Sequence, residues 1–198
     1  MNARNALRWW PPVGVLAMVV LGLAVGRGST PLDAAFLDGA TDLTGSRPRW
    51  LLAFTDWWLL GPVLAAALAL ALWRRQWRLA AVVALCPWLV LAITQVLKRL
   101  FDRRNGPYLE YPSGHTTMVV VVAGMALLVV GARWWAVTVA AAVCALGMLG
   151  LVTNGYHFVT DTIGAALLTT ALVCLAARVA GLVPARPPVD GRSEESGD

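Results

Sequence analysis

The chain has only two histidines, His115 and His157, and one lysine, Lys98. Each sits at the edge of a long apolar run, where an ionisable side chain is costly and therefore a functional candidate. Asp161 follows His157 by four residues, a spacing that puts both on one face of a helix. A carboxylate there can hold one imidazole N–H, fix the tautomer and leave the other nitrogen free to attack an electrophile. The plainer reading is an acid complementing the positive end of a helix dipole. His115 follows Pro112-Ser113-Gly114 and opens another apolar run. Backbone N–H groups at such a helix start, beside a glycine, form a phosphate cradle, to which Ser113 can add its hydroxyl. His115 is then placed to give a proton to a leaving oxygen. Ser-Gly-His alone is equally an ordinary N-cap turn.

The elements that must position these residues are membrane spans. Hydrophobic residues make up 59% of the 198 and charged ones 14%, against about a quarter charged in soluble domains. Six apolar segments are expected, at about 11–26, 50–73, 79–97, 115–132, 134–153 and 158–182. The fold class is thus an all-α, polytopic bundle of six transmembrane helices over residues 1–183. A Pro-, Gly- and Ser-rich tail, 184–198, is expected to be disordered and cytoplasmic. The first segment lacks a convincing cleavage site and reads as a span, not a secretory signal.

With the N-terminus inside, nine arginines fall on the cytoplasmic side and seven basic residues outside. Four of those seven lie in the single loop 98–114, whose charge has a chemical use; without them the bias is nine to three. This orientation puts Lys98, His115 and His157 together on the outer membrane face. Trp9, Trp10, Trp50, Trp73, Trp77, Trp134 and Trp135 fall at segment ends, as interfacial rings do. The connection 27–49, with Asp33, Asp38 and Asp42, fits either a short amphipathic helix on the membrane surface or a plain linker. Asp56 falls about two turns into the second segment, and Gln95 reads as a helix–helix contact. Scattered arginines give no nucleic-acid patch. Cys86, Cys144 and Cys174 stand alone in apolar runs, so neither a zinc site nor a disulfide framework is expected.

These residues resemble the type 2 phosphatidic acid phosphatase superfamily of membrane lipid phosphatases. The pattern there is Lys-x6-Arg-Pro, Pro-Ser-Gly-His, then Ser-Arg-x5-His-x3-Asp. Lys98, Pro112-Ser113-Gly114-His115 and His157-x3-Asp161 match it. The resemblance implies His157 as a nucleophile forming a phosphohistidine, Asp161 as its orienter and His115 as acid, then base. Lys98, Ser113 and the Gly114 amide would bind phosphate oxygens, with no metal and no cofactor. Asn105, Gly106, Gly150 and Leu151 stand where the family has Arg-Pro and Ser-Arg. One lost charge-assisted donor costs roughly 3–4 kcal/mol of transition-state stabilisation. Arg103 or Arg104 is therefore expected to replace the first arginine, and Asn154 to supply a neutral donor for the second; interfacial anchoring is the alternative for the two arginines. The implied activity is hydrolysis of a polyprenyl phosphate or diphosphate, or a glycerolipid phosphate; separately, fifteen arginines to one lysine with abundant alanine point to a bacterial source and so a bacterial plasma membrane. The rival readings are a lipid phosphotransferase and a non-catalytic lipid-phosphate binder.

Overall fold

The computed structural model describes residues 3–45 and 47–182. Its helices are α1 (Ala3–Val25), α2 (Pro31–Thr44), α3 (Trp57–Trp73), α4 (Trp77–Phe101), α5 (Gly114–Val130), α6 (Trp134–Thr153) and α7 (Val159–Val179). A 3-10 turn, Arg49–Thr55, leads into α3. Between α4 and α5 the chain makes a small antiparallel hairpin, β1 (Arg104–Asn105) with β2 (Tyr108–Leu109). The expected tail at 184–198 lies outside the described residues.

The chain is a polytopic helical membrane protein. Five stretches, Arg8–Val25, Arg49–Trp73, Trp77–Phe101, Trp134–Thr153 and Val159–Val179, are long and apolar enough to cross a bilayer. The remaining apolar helix, α5, has 17 residues, the lower end of the length a crossing needs. It sits in the middle of the bundle, packed on α3, α4, α6 and α7. Val119, Val121 and Met125 are fully buried there, while Leu16, Leu23, Leu85, Leu89 and Val179 on the outer helices remain exposed. Apolar surface of that kind is a lipid-facing surface.

Two expected segments differ in detail. The first begins at Ala3, well before residue 11. The second is broken, because Asp56 takes extended backbone angles (φ −75°, ψ 142°) between the 3-10 turn and α3. Asp56 therefore stands at the junction of the 3-10 turn and α3 within that stretch.

The 27–49 connection contains a helix, not a plain linker. Thr30 caps α2, Pro31 pre-sets its first turn, and Asp33 Oδ2 accepts the Thr30 N–H (2.9 Å). Asp38 and Asp42 are exposed, whereas Asp33 is buried and faces α7.

Tyr111 pins the segment before α5. Its ring lies between Gly22 of α1 and Gly164 of α7, where a Cβ at either position would overlap it. Its hydroxyl donates to the Met18 carbonyl. The loop carrying the Ser-Gly-His residues is thus fixed to α1 and α7 before α5 begins. At the other end of the bundle, Trp73, Trp77 and Trp134 are strongly exposed at helix termini, and Arg74 donates to the Val129 carbonyl near the end of α5 (2.7 Å).

Candidate active site

A cavity of about 1220 Å³ opens where α3, α5 and α7 begin and α4 and α6 finish. Of the residues expected from sequence, Lys98, Gly114, His115, Asn154 and His157 line it. His115 is the second residue of α5, and His157 follows the turn at Gly155 (φ +76°) just before α7. Their rings stand edge to face with centroids 5.8 Å apart. One ring is exposed to the cavity and the other, His157, is buried. That pairing leaves room at one spot for an electrophile to be attacked by one imidazole and protonated through the other.

The carboxylate on His157 is Glu110. Its Oε2 pairs with His157 Nδ1, and neither atom has another hydrogen-bond partner among the described residues. Asp161, expected in this place, keeps its Oδ2 at 4.0 Å from Nδ1, beyond hydrogen-bond reach. The reason is local. Asp161 occupies the first turn of α7, where Oδ2 accepts the Phe158 N–H (3.0 Å) and Oδ1 accepts from Arg103 (2.7 Å). Glu110 was not singled out from sequence because only the hairpin, followed by the Glu110 N–H to Arg103 carbonyl bond (2.8 Å), folds it back onto α7. A lone glutamate among apolar residues five positions before His115 was the available signal.

Arg103 does not face the cavity. It is fully buried, and all five of its N–H donors meet protein acceptors. Nε and Nη2 donate to the Gly28 carbonyl, Nη2 also to Asp33, and Nη1 to Thr160 and Asp161. The guanidinium further lies 4.6 Å over the Phe158 ring. No donor is left for a phosphate, so the expected substitution of Arg103 for a motif arginine is not met in this geometry. Arg104 points away as well, exposed and paired with Asp102 at 2.8 Å.

The phosphate-binding expectations divide. Lys98 lines the cavity and gives one N–H to the Leu109 carbonyl (2.7 Å), which leaves two donors. Gly114 presents the start of α5 to the same space. Ser113 is fully buried and does not line the cavity; its Oγ accepts the Thr116 N–H (3.2 Å) as an N-cap. Asn154 lines the cavity, but its amide N–H groups turn to the Gly150 (2.8 Å) and Pro48 (3.4 Å) carbonyls. Asn105, at the first missing arginine, also faces the cavity, whereas Leu151, at the second, is buried. Gln95 and Asp56 line the cavity too, so Gln95 is a cavity residue and not only a helix contact. Lys98 is thereby the single Lys or Arg lining the cavity among the described residues.

Glu110, His157 and Asp161 bring possible metal-ligand atoms within 4.8 Å of one another. The Arg103 guanidinium already supplies a positive charge to Asp161 there, and a second cation at that carboxylate would be repelled.

Residues 104–183 match the model of the PAP2 superfamily. No curated protein matches the chain. Among solved structures, the chain is similar to one described as the first transmembrane PAP2 type phosphatidylglycerolphosphate phosphatase from Bacillus subtilis. The two share 19% identity at a TM-score of 0.68, over 89% of this chain and 98% of that one. The matched segment holds Ser113–His115, His157 and Asp161, and the matched fold carries the helices that bring them together.

Proposed function

We propose that this chain is an integral membrane phosphatase that hydrolyses a lipid phosphate or diphosphate through a phosphohistidine, in a bacterial plasma membrane with the site facing outward. The observation that carries the reading is the edge-to-face pair of histidines in one cavity, with Glu110 on Nδ1 of His157. Glu110 holds the imidazole so that Nε2 is the attacking atom. Nε2 bonds to phosphorus as the bond to the leaving oxygen breaks, and His115 gives that oxygen a proton. His115 then takes a proton from water, the hydroxide attacks phosphorus, and the P–N bond breaks to release inorganic phosphate. Lys98 and the start of α5 at Gly114 hold the phosphoryl oxygens.

A second cavity supports a substrate with a hydrocarbon chain. An apolar groove of about 240 Å³ runs between α3, α5 and α6 and shares one lining residue, Leu60, with the catalytic cavity. The phosphatidylglycerolphosphate named for the Bacillus subtilis structure makes glycerolipid phosphates a class to test beside polyprenyl phosphates.

The test is phosphate release by the purified protein from phosphatidylglycerol phosphate, phosphatidic acid and polyprenyl mono- and diphosphates, with His157→Ala as control. Release by the wild type alone, with acid-labile label on the protein, is the expected result. Equal release by both proteins would remove the enzymatic reading. A new phosphodiester formed from an added alcohol, in place of phosphate, would identify a phosphotransferase.

A further inference from the structure

Asp33 belongs to no part of the chemistry above, yet it accepts more hydrogen bonds than any other carboxylate among the described residues. It sits in α2, outside the spans, with 3% of its surface exposed. Oδ1 accepts both the N–H (3.0 Å) and the hydroxyl (2.8 Å) of Thr160. Oδ2 accepts the Thr30 N–H (2.9 Å) and hydroxyl (2.8 Å) and Arg103 Nη2 (2.7 Å). Burial works against its charge, but the Thr160 and Thr30 donors outweigh burial and hold the carboxyl below the usual aspartate range.

These bonds close a ring. Arg103 Nη1 donates to Thr160 Oγ1 (2.6 Å) and to Asp161 Oδ1 (2.7 Å), while Thr160 Oγ1 donates to Asp33. The ring joins α2, the β-hairpin and the first turn of α7, three segments far apart in sequence. His157 lies immediately before that turn, and the Phe158 N–H next to it is held by Asp161 Oδ2. Ser113, the cap before His115, donates its N–H to the Asp161 carbonyl (3.2 Å). Both histidines are therefore referenced to one turn, and that turn is held from outside the bundle by one carboxylate on α2.

We infer that Asp33 is a positioning residue: acting through Arg103 and Thr160, it fixes the first turn of α7 and with it the orientation of His157 against Glu110. Arg103 needs two carboxylates because its planar fork presents separate donors to Asp33 and Asp161. Without Asp33 the guanidinium keeps only Gly28, Thr160 and Asp161, and Thr160 loses the one oxygen on α2 that accepts both its N–H and its hydroxyl. Misplacement of a reacting nitrogen by an ångström is enough to lower turnover about a hundredfold. The surface helix is thus a working part of the site, not a cover over it. The catalytic half of this inference rests on the phosphatase reading; the structural half does not.

Because the chain has only two histidines, ¹⁵N-histidine NMR of the full-length protein in detergent reads the effect directly. Asp33→Asn is expected to move or broaden the His157 ring signals, and those of His115 to a smaller extent. Asp38→Asn, an exposed site on the same helix, is expected to change neither. In rapid-quench experiments with phosphatidic acid, Asp33→Asn should slow phosphoenzyme formation tenfold or more at an unchanged burst amplitude, which counts folded sites. KM should move less than threefold. Thr160→Val gives a milder change in the same direction if Asp33→Asn folds poorly. In an Arg103→Lys background the Asp33→Asn effect should largely vanish, since the two act in series. A folded Asp33→Asn protein with wild-type His157 signals would overturn the inference, as would effects of Asp33→Asn and Arg103→Lys that simply add. A wild type that releases no phosphate from any substrate, but whose His157 signals respond to Asp33→Asn, would refute the phosphatase reading and leave the positioning role standing.

Discussion

The two carboxylates near His157 have different work, and substitution separates them. Glu110 Oε2 pairs with the ring and has no other hydrogen-bond partner among the described residues, so Glu110→Gln should keep the fold and lower kcat by on the order of 10²–10⁴, as loss of the correct imidazole tautomer does. Asp161 faces a fully buried guanidinium, so Asp161→Asn should also cost about 3–5 kcal/mol of stability by leaving that charge underpaired. Rate and detergent melting temperature, measured on both variants, check the division; a stable Asp161→Asn with the larger rate loss would reverse the assignment. Asn105 offers a gain of function, because it faces the cavity where Lys98 is the single Lys or Arg among the described residues. Asn105→Arg is expected to raise kcat/KM at least tenfold, within the roughly 10²–10³ that one such donor supplies. The histidines and Lys98 were legible in the sequence because polar groups are scarce in an apolar chain. Glu110 and the destination of Arg103 were not, for one physical reason: composition and spacing show which charges exist but not which acceptors a folded hairpin offers them. Arg103 had been expected to face phosphate, and two buried carboxylates claim it first.

At the scale of elements, the spans could be read from hydrophobic runs, while their breaks could not. Nothing apolar distinguishes Phe54 from Leu59, yet the helix stops at Asp56 and so opens the cavity mouth. The groove between α3, α5 and α6 is likewise a product of packing, where Ala123 and Ala126 of α5 stand opposite Ala136 and Ala140 of α6. Small side chains leave that channel open, and Ala123→Phe should fill it. Hydrolysis of a long-chain substrate such as phosphatidic acid should fall tenfold or more relative to a water-soluble short-chain analogue, whose turnover stays near wild type. Equal loss on both substrates would mean that the groove holds ordinary bilayer lipid. For α2, the sequence carried the capping pattern Thr30-Pro31-x-Asp33 but not the destination of Asp33. Its carboxyl titrates below the usual range in the fold, so it stabilises the protein above its unfolded pKa of about 3.9 and loses that contribution as pH falls through the folded value. The melting-temperature gap between wild type and Asp33→Asn should hold steady from pH 7 to about pH 5 and close below pH 4.

For the whole molecule, charge is distributed by end. All seven acidic residues among the described ones, from Asp33 to Asp161, lie at the cavity end or on α2. Arg74, Arg75, Arg78, Arg133 and Arg178 lie at the opposite end, where the described residues include no acid. The bare count of bases gave only a small bias, but the fold explains why the cavity end carries so many. Arg103 is consumed by two carboxylates, Arg104 pairs with Asp102, and Lys98 serves the cavity. Removing those three leaves the opposite end as the one enriched in basic residues, which supports the proposed orientation with the cavity outside. The consequence is testable in intact cells. With Cys86, Cys144 and Cys174 replaced by alanine, a membrane-impermeant maleimide should label Arg104→Cys, whose side chain is 58% exposed beside the cavity. Arg75→Cys, exposed on the turn between α3 and α4, should label only after the cells are opened. The reverse pattern would put the histidines in the cytoplasm, and the substrate would then be a lipid phosphate of the inner leaflet.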